Sequence, residues 1–476
     1  LLVAGIDCST QSCKVAVRDS RDGRVVRSSS TPIPGGPSID PEIWWSAVAN
    51  SVADAGGLDD VVAISIAAQQ HGMVLLDRAG RVLRDALLWH DTSSAPQARH
   101  LTDELGREAW VSTVGMSLSS SFTVTKIRWL RDNEPQTAAD VAAVALPHDW
   151  LTWRLRGFGP EQPDLDELVT DRSDASGTGY WSPFEEDYRM DIVERALGRT
   201  VLLPRVLPWG GTAGKTADVI PGVPAGIPVG VGGGDNALAA FGLGIGPGDV
   251  VISVGTSGTI YTKSVSPVKD LSGPVATYAD ATGNYLPLVA VLNAARVLDA
   301  GQAIIGGNSD RFAAAALNAP PGASGVTLLP FFEGERYPDL PAARASLHGL
   351  SLQNCVPENI ARAFVEGVAC SLANGLDAMR DTGLPADRVI LIGGGAKSIA
   401  LQASAADVFD LPVVIPTPHE YVTLGAAKQA VLALGESAPD WRWSTQKELM
   451  ARHPTPWVRD QYRRAYQAAL RGEYQQ

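Results

Sequence analysis

The chain has 476 residues, of which 45% are hydrophobic and 19% charged; this is the composition of an ordinary globular protein, and the length exceeds what one hydrophobic core serves. The net charge of −13, from 39 basic and 52 acidic residues, argues against nucleic acid or an anionic membrane surface as a partner. No apolar run is long enough to span a bilayer and no basic-then-apolar leader is read, while Cys8, Cys13, Cys355 and Cys370 lack metal-ligand spacing; buried free thiols in a reducing cytoplasm are expected.

Leu2–Asp7 reads as an apolar strand and Lys14–Arg18 as an alternating second strand. Between them, Asp7-Cys8-Ser9-Thr10-Gln11-Ser12 forms a hairpin whose turn is built from an acid and hydroxyls. Asp22-Gly23 turns the chain into a third strand from Arg24. Asp40-Pro41 opens a helix with Trp44, Val48 and Val52 as its buried stripe. The strand Val61–Ala67 ends in Ala68-Gln69-Gln70-His71-Gly72, a polar cluster at the strand end where α/β folds place ligands. On its own, His71 reads equally well as a satisfied structural histidine. Leu87–Asp91 is a second short apolar strand ending in polar residues.

Ser121–Asn133 reads as an amphipathic helix, and another begins at Pro147. Thr170–Gly177, polar and small, reads as an ordered loop. The apolar run Ile227-Pro228-Val229 then leads into Gly230-Val231-Gly232-Gly233-Gly234-Asp235-Asn236, a strand, a glycine turn and a helix start. Glycines let the backbone approach a ligand closely, and Asp235 projects from the first helical turn, although Asp there is also an ordinary cap. Asp249–Ser253, the turn Val254-Gly255-Thr256-Ser257-Gly258 and the returning strand echo the opening hairpin and mark a second domain on the same plan. Phe331–Arg336 is a charged turn, and Asn359–Arg380 is the clearest helix. Val389–Ile392 runs into Gly393-Gly394-Gly395-Ala396-Lys397-Ser398 and the helix Ile399–Phe409, a second strand–glycine–helix unit. Tyr421 opens the last long helix, and the tail beyond Glu436 is expected to be helical.

Two hydroxyl-and-glycine hairpins and a triple-glycine turn are three places where backbone N–H groups can face an anion. Neither GxxxxGK[ST] nor a GxGxxG turn after the first strand is present, so a nucleotide would be held by hairpins of two domains.

Taken together, Gly5–Ser12, Gln69–Gly72, Phe122–Leu130, Gly234-Asp235-Asn236, Gly255–Gly258 and Gly393–Ser398 resemble the FGGY family of carbohydrate kinases, in the actin/hexokinase/Hsp70 ATPase superfamily. The likeness runs to about Leu434 and is greatest to the xylulokinases. It implies an α/β fold of two ribonuclease-H-like domains with the active site in the cleft between them. Residues 1–245 would bind sugar and carry catalysis, 246–440 would bind the nucleotide, and 441–476 would be a helical extension. Residue by residue, the resemblance makes Asp235 the catalytic base and Asp7 the acid that holds Mg²⁺. It gives Gln70, His71, Asp235 and Asn236 to the sugar. Thr10 and Gln11 fall in the first phosphate hairpin, Gly255, Thr256 and Ser257 in the second, and Gly394, Gly395 and Ser398 at the adenosine. The implied reaction is ATP with D-xylulose giving D-xylulose 5-phosphate; another acceptor (ribulose, glycerol, a polyol) or a non-catalytic regulator stays open. A cytoplasmic protein without nucleic-acid or membrane partners is expected, with a homodimer left open. Relatives read Trp-Asn-Asp-x-Arg where this chain has Trp89-His90-Asp91-Thr92-Ser93; the exchange is expected to reshape the sugar pocket toward a related ketose or polyol, the alternative being a solvated loop edge where the change is neutral.

Overall fold

Strand β1 (Leu2–Cys8) pairs antiparallel with β2 (Ser12–Asp19), which pairs in turn with β3 (Val25–Pro32). On the other side of β1, β4 (Val61–Ala68) runs parallel. With β5 (Thr212–Lys215), β6 (Pro228–Gly230) and the short β7 (Gly233–Gly234), which also pairs with β4, they form one sheet of order β5-β6-β4-β1-β2-β3. The unbroken burial of β1 beyond Leu2 is what a central strand covered on both faces requires. This computed structural model describes residues 1–271, 273–417, 419–450 and 454–471.

The second sheet repeats the plan. It comprises β8 (Asp249–Val254), β9 (Gly258–Thr262), β10 (Ala276–Ala279), β11 (Tyr285–Val291), β12 (Arg388–Ile392), β13 (Val413–Pro416) and β14 (Thr445–Leu449), in the order β10-β11-β9-β8-β12-β13-β14. β8 is antiparallel to β9 and parallel to β12, as β1 is to β2 and β4. The echo of the two hairpins in sequence is therefore a repeat of topology, and the sheets are of the ribonuclease-H kind.

The helices that matter below are α1 (Pro41–Asp54), α2 (Thr123–Asn133), α3 (Pro147–Leu155), α4 (Arg172–Ser176), α5 (Asp235–Leu243), α6 (Ala295–Ile305), α7 (Pro357–Asp381), α8 (Ile399–Phe409) and α9 (Tyr421–Leu432). α1 starts where its signals put it, with the Asp40 carboxylate accepting the Glu42 N–H at 3.0 Å. α7 is buried along most of its length in the core of the second sheet. α9 lies not on that core but on the first sheet, where Leu424, Ala427, Ala430 and Val431 cluster with Val3 and Ala63. The approach is so close that a Cβ at Gly5 would sit 2.0 Å from the Thr423 carbonyl oxygen.

Three local expectations change. The segment Thr170–Gly177 is not a loop but is built around the wholly buried α4, because Asp171 accepts the Ser173 and Asp174 N–H groups at 2.8 and 2.9 Å and caps it. The tail contributes the edge strand β14 before its helix, since β13 offers a free ladder edge to Thr445–Leu449. Cys355 is exposed, whereas Cys8, Cys13 and Cys370 are buried; all four are free thiols. Among the described residues, no helix is long and apolar enough to cross a membrane.

Candidate active site

The site begins at Ala67. Asp7 of β1 is its register partner on one side and Gly233 of β7 on the other, so the two acids Asp7 and Asp235 leave the same end of the first sheet. The glycine turn makes this approach fit. Gly232 has φ +81°, and a Cβ there would lie 2.6 Å from both the Ile66 carbonyl oxygen and the His148 ring. A Cβ at Gly234 would lie 2.6 Å from the Gln70 side chain. Only glycine lets helix α5 start directly beside the polar end of β4.

Asp235, in the first turn of α5, accepts the Asn236 backbone N–H at 2.7 Å and its amide N–H at 3.2 Å. The Asn236 amide also donates to Gln70 Oε1 at 3.4 Å. Gln70 Nε2 donates to the Ser173 carbonyl at 3.2 Å, and the Ser173 hydroxyl accepts the Gly234 N–H at 3.1 Å. A row of acceptors and donors thus runs from Asp235 through Asn236 to Gln70. Burial, reinforced by the charges of Asp7 and Asp174, pushes the Asp235 carboxyl up to about 7.

His71 is held in the left-handed region at φ 69°, which a non-glycine residue occupies at a cost. Its Nδ1 bonds the Gly177 carbonyl at 2.7 Å. A carbonyl only accepts, so Nδ1 carries the proton and Nε2 is an acceptor. Burial, with the Lys126 and Arg336 charges, pushes the imidazole down to about 3 and keeps it neutral. Phe122 meets the ring edge-on at 5.3 Å between centroids, and Tyr278 of the second sheet leans on it at 6.0 Å.

Asp7 is 2% exposed and accepts the Ser9 hydroxyl. Burial pushes its carboxyl up to about 6; the Ser9 bond and Lys14 act the other way. Thr10 accepts the Trp89 indole N–H at 3.0 Å and donates toward Gln69 Oε1 at 3.4 Å. Gln11 is exposed at the hairpin, where its carbonyl accepts the Ile33 N–H at 2.8 Å.

The remaining sequence-predicted positions gather at the corresponding end of the second sheet. Gly255, Thr256 and Ser257 close the β8–β9 hairpin, with the Gly255 N–H donating to the Ser257 carbonyl at 2.9 Å and Thr256 exposed at the tip. Gly395 abuts that hairpin, since a Cβ there would lie 2.4 Å from Val254 Cγ1, whereas Gly394 faces open space. The Ser398 hydroxyl accepts the Leu401 N–H at 3.3 Å as the cap of α8.

Beneath the glycine turn, His148 bonds Asp174 through Nδ1 within a cluster of His148, Asp149, Asp171 and Asp174, none more than 3% exposed. Burial opposes charge on His148, but Asp149, Asp174 and Asp171 outweigh it and hold the imidazolium up to about 10. His148, Asp171 and Asp174 bring three ligand atoms within 4.8 Å of one another. Asp171 spends its oxygens on capping α4 and His148 spends Nδ1 on Asp174, so the group is an ion pair supporting the turn.

Sequence reading did not single out Ser173, Lys126 or Tyr278. Ser173 and Lys126 lie in segments whose polarity was noticed, while nothing local marks Tyr278. Within the Trp89–Ser93 segment, His90 and Ser93 both have local partners. His90 Nε2 bonds the Gly36 carbonyl at 2.9 Å, and Ser93 donates its hydroxyl to Asp91. His90 thus spends Nε2 on the Gly36 loop, and Asp91 keeps a local partner without an arginine.

Two sheets of one plan in one chain are the architecture of the actin/hexokinase/Hsp70 type. The family model for the FGGY N-terminal domain matches residues 2–242 and that for the C-terminal domain residues 250–434, and the chain belongs to the FGGY family of carbohydrate kinases. It is 43% identical over 456 residues to the xylulose kinase of Streptomyces coelicolor, covering 93% of this chain and 91% of that protein. To the xylulose kinase of Escherichia coli it is 32% identical over 448 residues, covering 90% and 89%. The crystal structure of xylulose kinase from Bifidobacterium adolescentis superposes with a TM-score of 0.89 at 43% identity, covering 98% of this chain and 99% of that one.

Proposed function

We propose that this protein transfers the γ-phosphoryl group of ATP to a hydroxyl of D-xylulose, giving D-xylulose 5-phosphate and ADP. The observation that carries the reading is the hydrogen-bonded row Gln70–Asn236–Asp235, followed in the chain after Gln70 by His71, whose Nδ1 bond to Gly177 leaves Nε2 an acceptor. Such a row matches a polyhydroxylated molecule, because a ligand lacking one hydroxyl leaves a buried group unpaired. The relatives named xylulose kinases, which match over nine-tenths of the chain, supply the choice of sugar.

Asp235 is the base. A carboxyl near 7 can be ionised at neutral pH and still take a proton from the attacking hydroxyl as transfer proceeds. The neutral imidazole of His71 accepts a sugar hydroxyl, and Asn236 and Gln70 orient the rest. The hairpins at Thr10–Gln11 and Gly255–Ser257, the second through the N–H groups of Thr256 and Ser257, would face the phosphates, with Gly394 and Gly395 against the adenosine. Asp7, a buried carboxylate that accepts the Ser9 hydroxyl, offers the hard oxygen donor that suits Mg²⁺. Bound there, the cation would neutralise charge on the β- and γ-phosphates.

The test is ADP release with purified protein across D-xylulose, D- and L-ribulose, glycerol and polyols. D-xylulose should give the highest kcat/KM. No acceptor raising ADP release above the sugar-free rate would refute the assignment, and a higher kcat/KM for another acceptor would replace D-xylulose with it.

A further inference from the structure

One side chain of the second lobe reaches into the first beside the sugar pocket. Arg336 leaves the charged turn that follows Phe331 and Phe332. Its guanidinium donates to the Ser121 hydroxyl, 215 residues away, and lies 6.0 Å from the centroid of the Trp89 ring. Both contacts belong to the first lobe. The Ser121 loop is itself pinned from below, since Lys126 donates to the Ser120 carbonyl at 3.0 Å and to that of Ser121.

Behind Arg336, the turn is locked to its own lobe. Glu335 is 1% exposed and accepts the Leu292 N–H at 2.6 Å, the Arg336 N–H at 2.8 Å and the Asn293 amide at 2.9 Å. Two residues further on, the Ala295 N–H donates to the Gly255 carbonyl at 2.8 Å and the Ala294 N–H to that of Thr256 at 3.4 Å. On the other side, Trp89 donates to Thr10 at 3.0 Å. One chain of contacts therefore runs from Thr10 through Trp89, Arg336, Glu335 and residues 292–295 to Gly255 and Thr256. It joins the two hairpins across the cleft.

We infer that Arg336 is a positioning residue that latches the lobes together at the rim of the sugar pocket and so couples sugar binding to nucleotide binding. The inference rests on the sugar-kinase reading above. A planar guanidinium can stack on Trp89 and donate to Ser121 together, which a point charge cannot do. A sugar resting on His71 and the neighbouring Phe122 would order the Ser121 rim against which Arg336 closes. The phosphate hairpins would then come into register only when the acceptor is in place.

The experiment measures the affinity of Mg²⁺ and a non-hydrolysable ATP analogue by titration calorimetry, with and without saturating D-xylulose. The wild-type protein should bind the analogue at least ~5-fold more tightly with the sugar, within the usual range of coupling between sites. Arg336→Gln should bring that ratio to within about twofold of unity, with the affinity for D-xylulose alone and the melting temperature unchanged. Ser121→Ala, on the opposite lobe, should lower the ratio too and add nothing in the double variant. It serves as the test if Arg336→Gln fails to fold. A wild-type ratio retained in both variants of an active kinase overturns the latch and leaves the proposed function standing. A wild-type protein that turns over no acceptor overturns both.

Discussion

Asp235 shares the end of the first sheet with Asp7, and burial together with that neighbouring charge pushes its carboxyl up to about 7. The base works ionised, so activity should rise with pH through its titration. We expect kcat/KM for the ketose to climb along an acid limb with a midpoint near 7. A pH–rate profile flat down to the ordinary carboxylate range would show that this environment does not tune the base.

Asp235→Asn keeps the shape of the side chain and an oxygen that can accept the Asn236 N–H, but it cannot take a full proton. Turnover should fall by at least ~10²-fold, while ketose affinity stays within several-fold of wild type. Near-normal turnover in protein free of host kinase would rule out Asp235 as the base.

Asp7→Ala should raise the Mg²⁺ concentration needed for half-maximal turnover and depress turnover at saturation, with D-xylulose affinity in the absence of ATP unchanged. A variant whose sole defect is a higher KM for the sugar would move Asp7 from the metal to the acceptor.

His148 should be a stability determinant. Its folded-state value, raised to about 10, lies above the ordinary 6.5, so the folded protein binds the extra proton. The stabilisation is complete below the unfolded value and is lost as pH rises toward 10. His148→Gln should cost about 3–5 kcal/mol near neutral pH, the range for breaking a buried ion pair by removing one partner. Urea melts of both proteins from pH 6 to 10 would show the gap narrowing with pH; a constant gap would mean that the ion pair is not its source.

Exchanging the Trp89–Ser93 segment toward its relatives, His90→Asn with Ser93→Arg, should leave the ranking of acceptors unchanged. His90 bonds the Gly36 carbonyl and Ser93 already serves Asp91. A reordered kcat/KM series across the ketose panel would show that this loop sets specificity after all.

What could be read in the sequence was local. Gly234-Asp235-Asn236 announces itself because a glycine turn, an acid and an amide must be adjacent in the chain to be adjacent in the site. The hairpins at Thr10 and Thr256 were legible for the same reason. The partners that complete the pocket meet only through tertiary placement: Ser173 lies 103 residues from the Gln70 it holds, and Arg336 lies 215 from Ser121. α4 was misread because Ser, Thr and Asp favour turns by bonding local backbone. Here those same bonds cap and brace a helix, with Ser176 donating to the Ser173 carbonyl at 2.8 Å. The tail was misread because a strand of exposed polar residues has no apolar alternation to reveal it, and only the edge of β13 defines it.

The seating of α9 on the first sheet has a consequence for how the protein is made. Val3 and Ala63 are covered by Leu424, Ala427, Ala430, Val431 and Trp441. During synthesis the first lobe leaves the ribosome with that face bare, and it stays bare until almost all of the second lobe has followed. A chain ending at residue 245 should therefore be recovered as an aggregating or partly folded species. The full-length protein should melt in one cooperative transition, because the two halves share hydrophobic clusters in which Met73 and Tyr180 of the first meet Tyr261 and Tyr278 of the second.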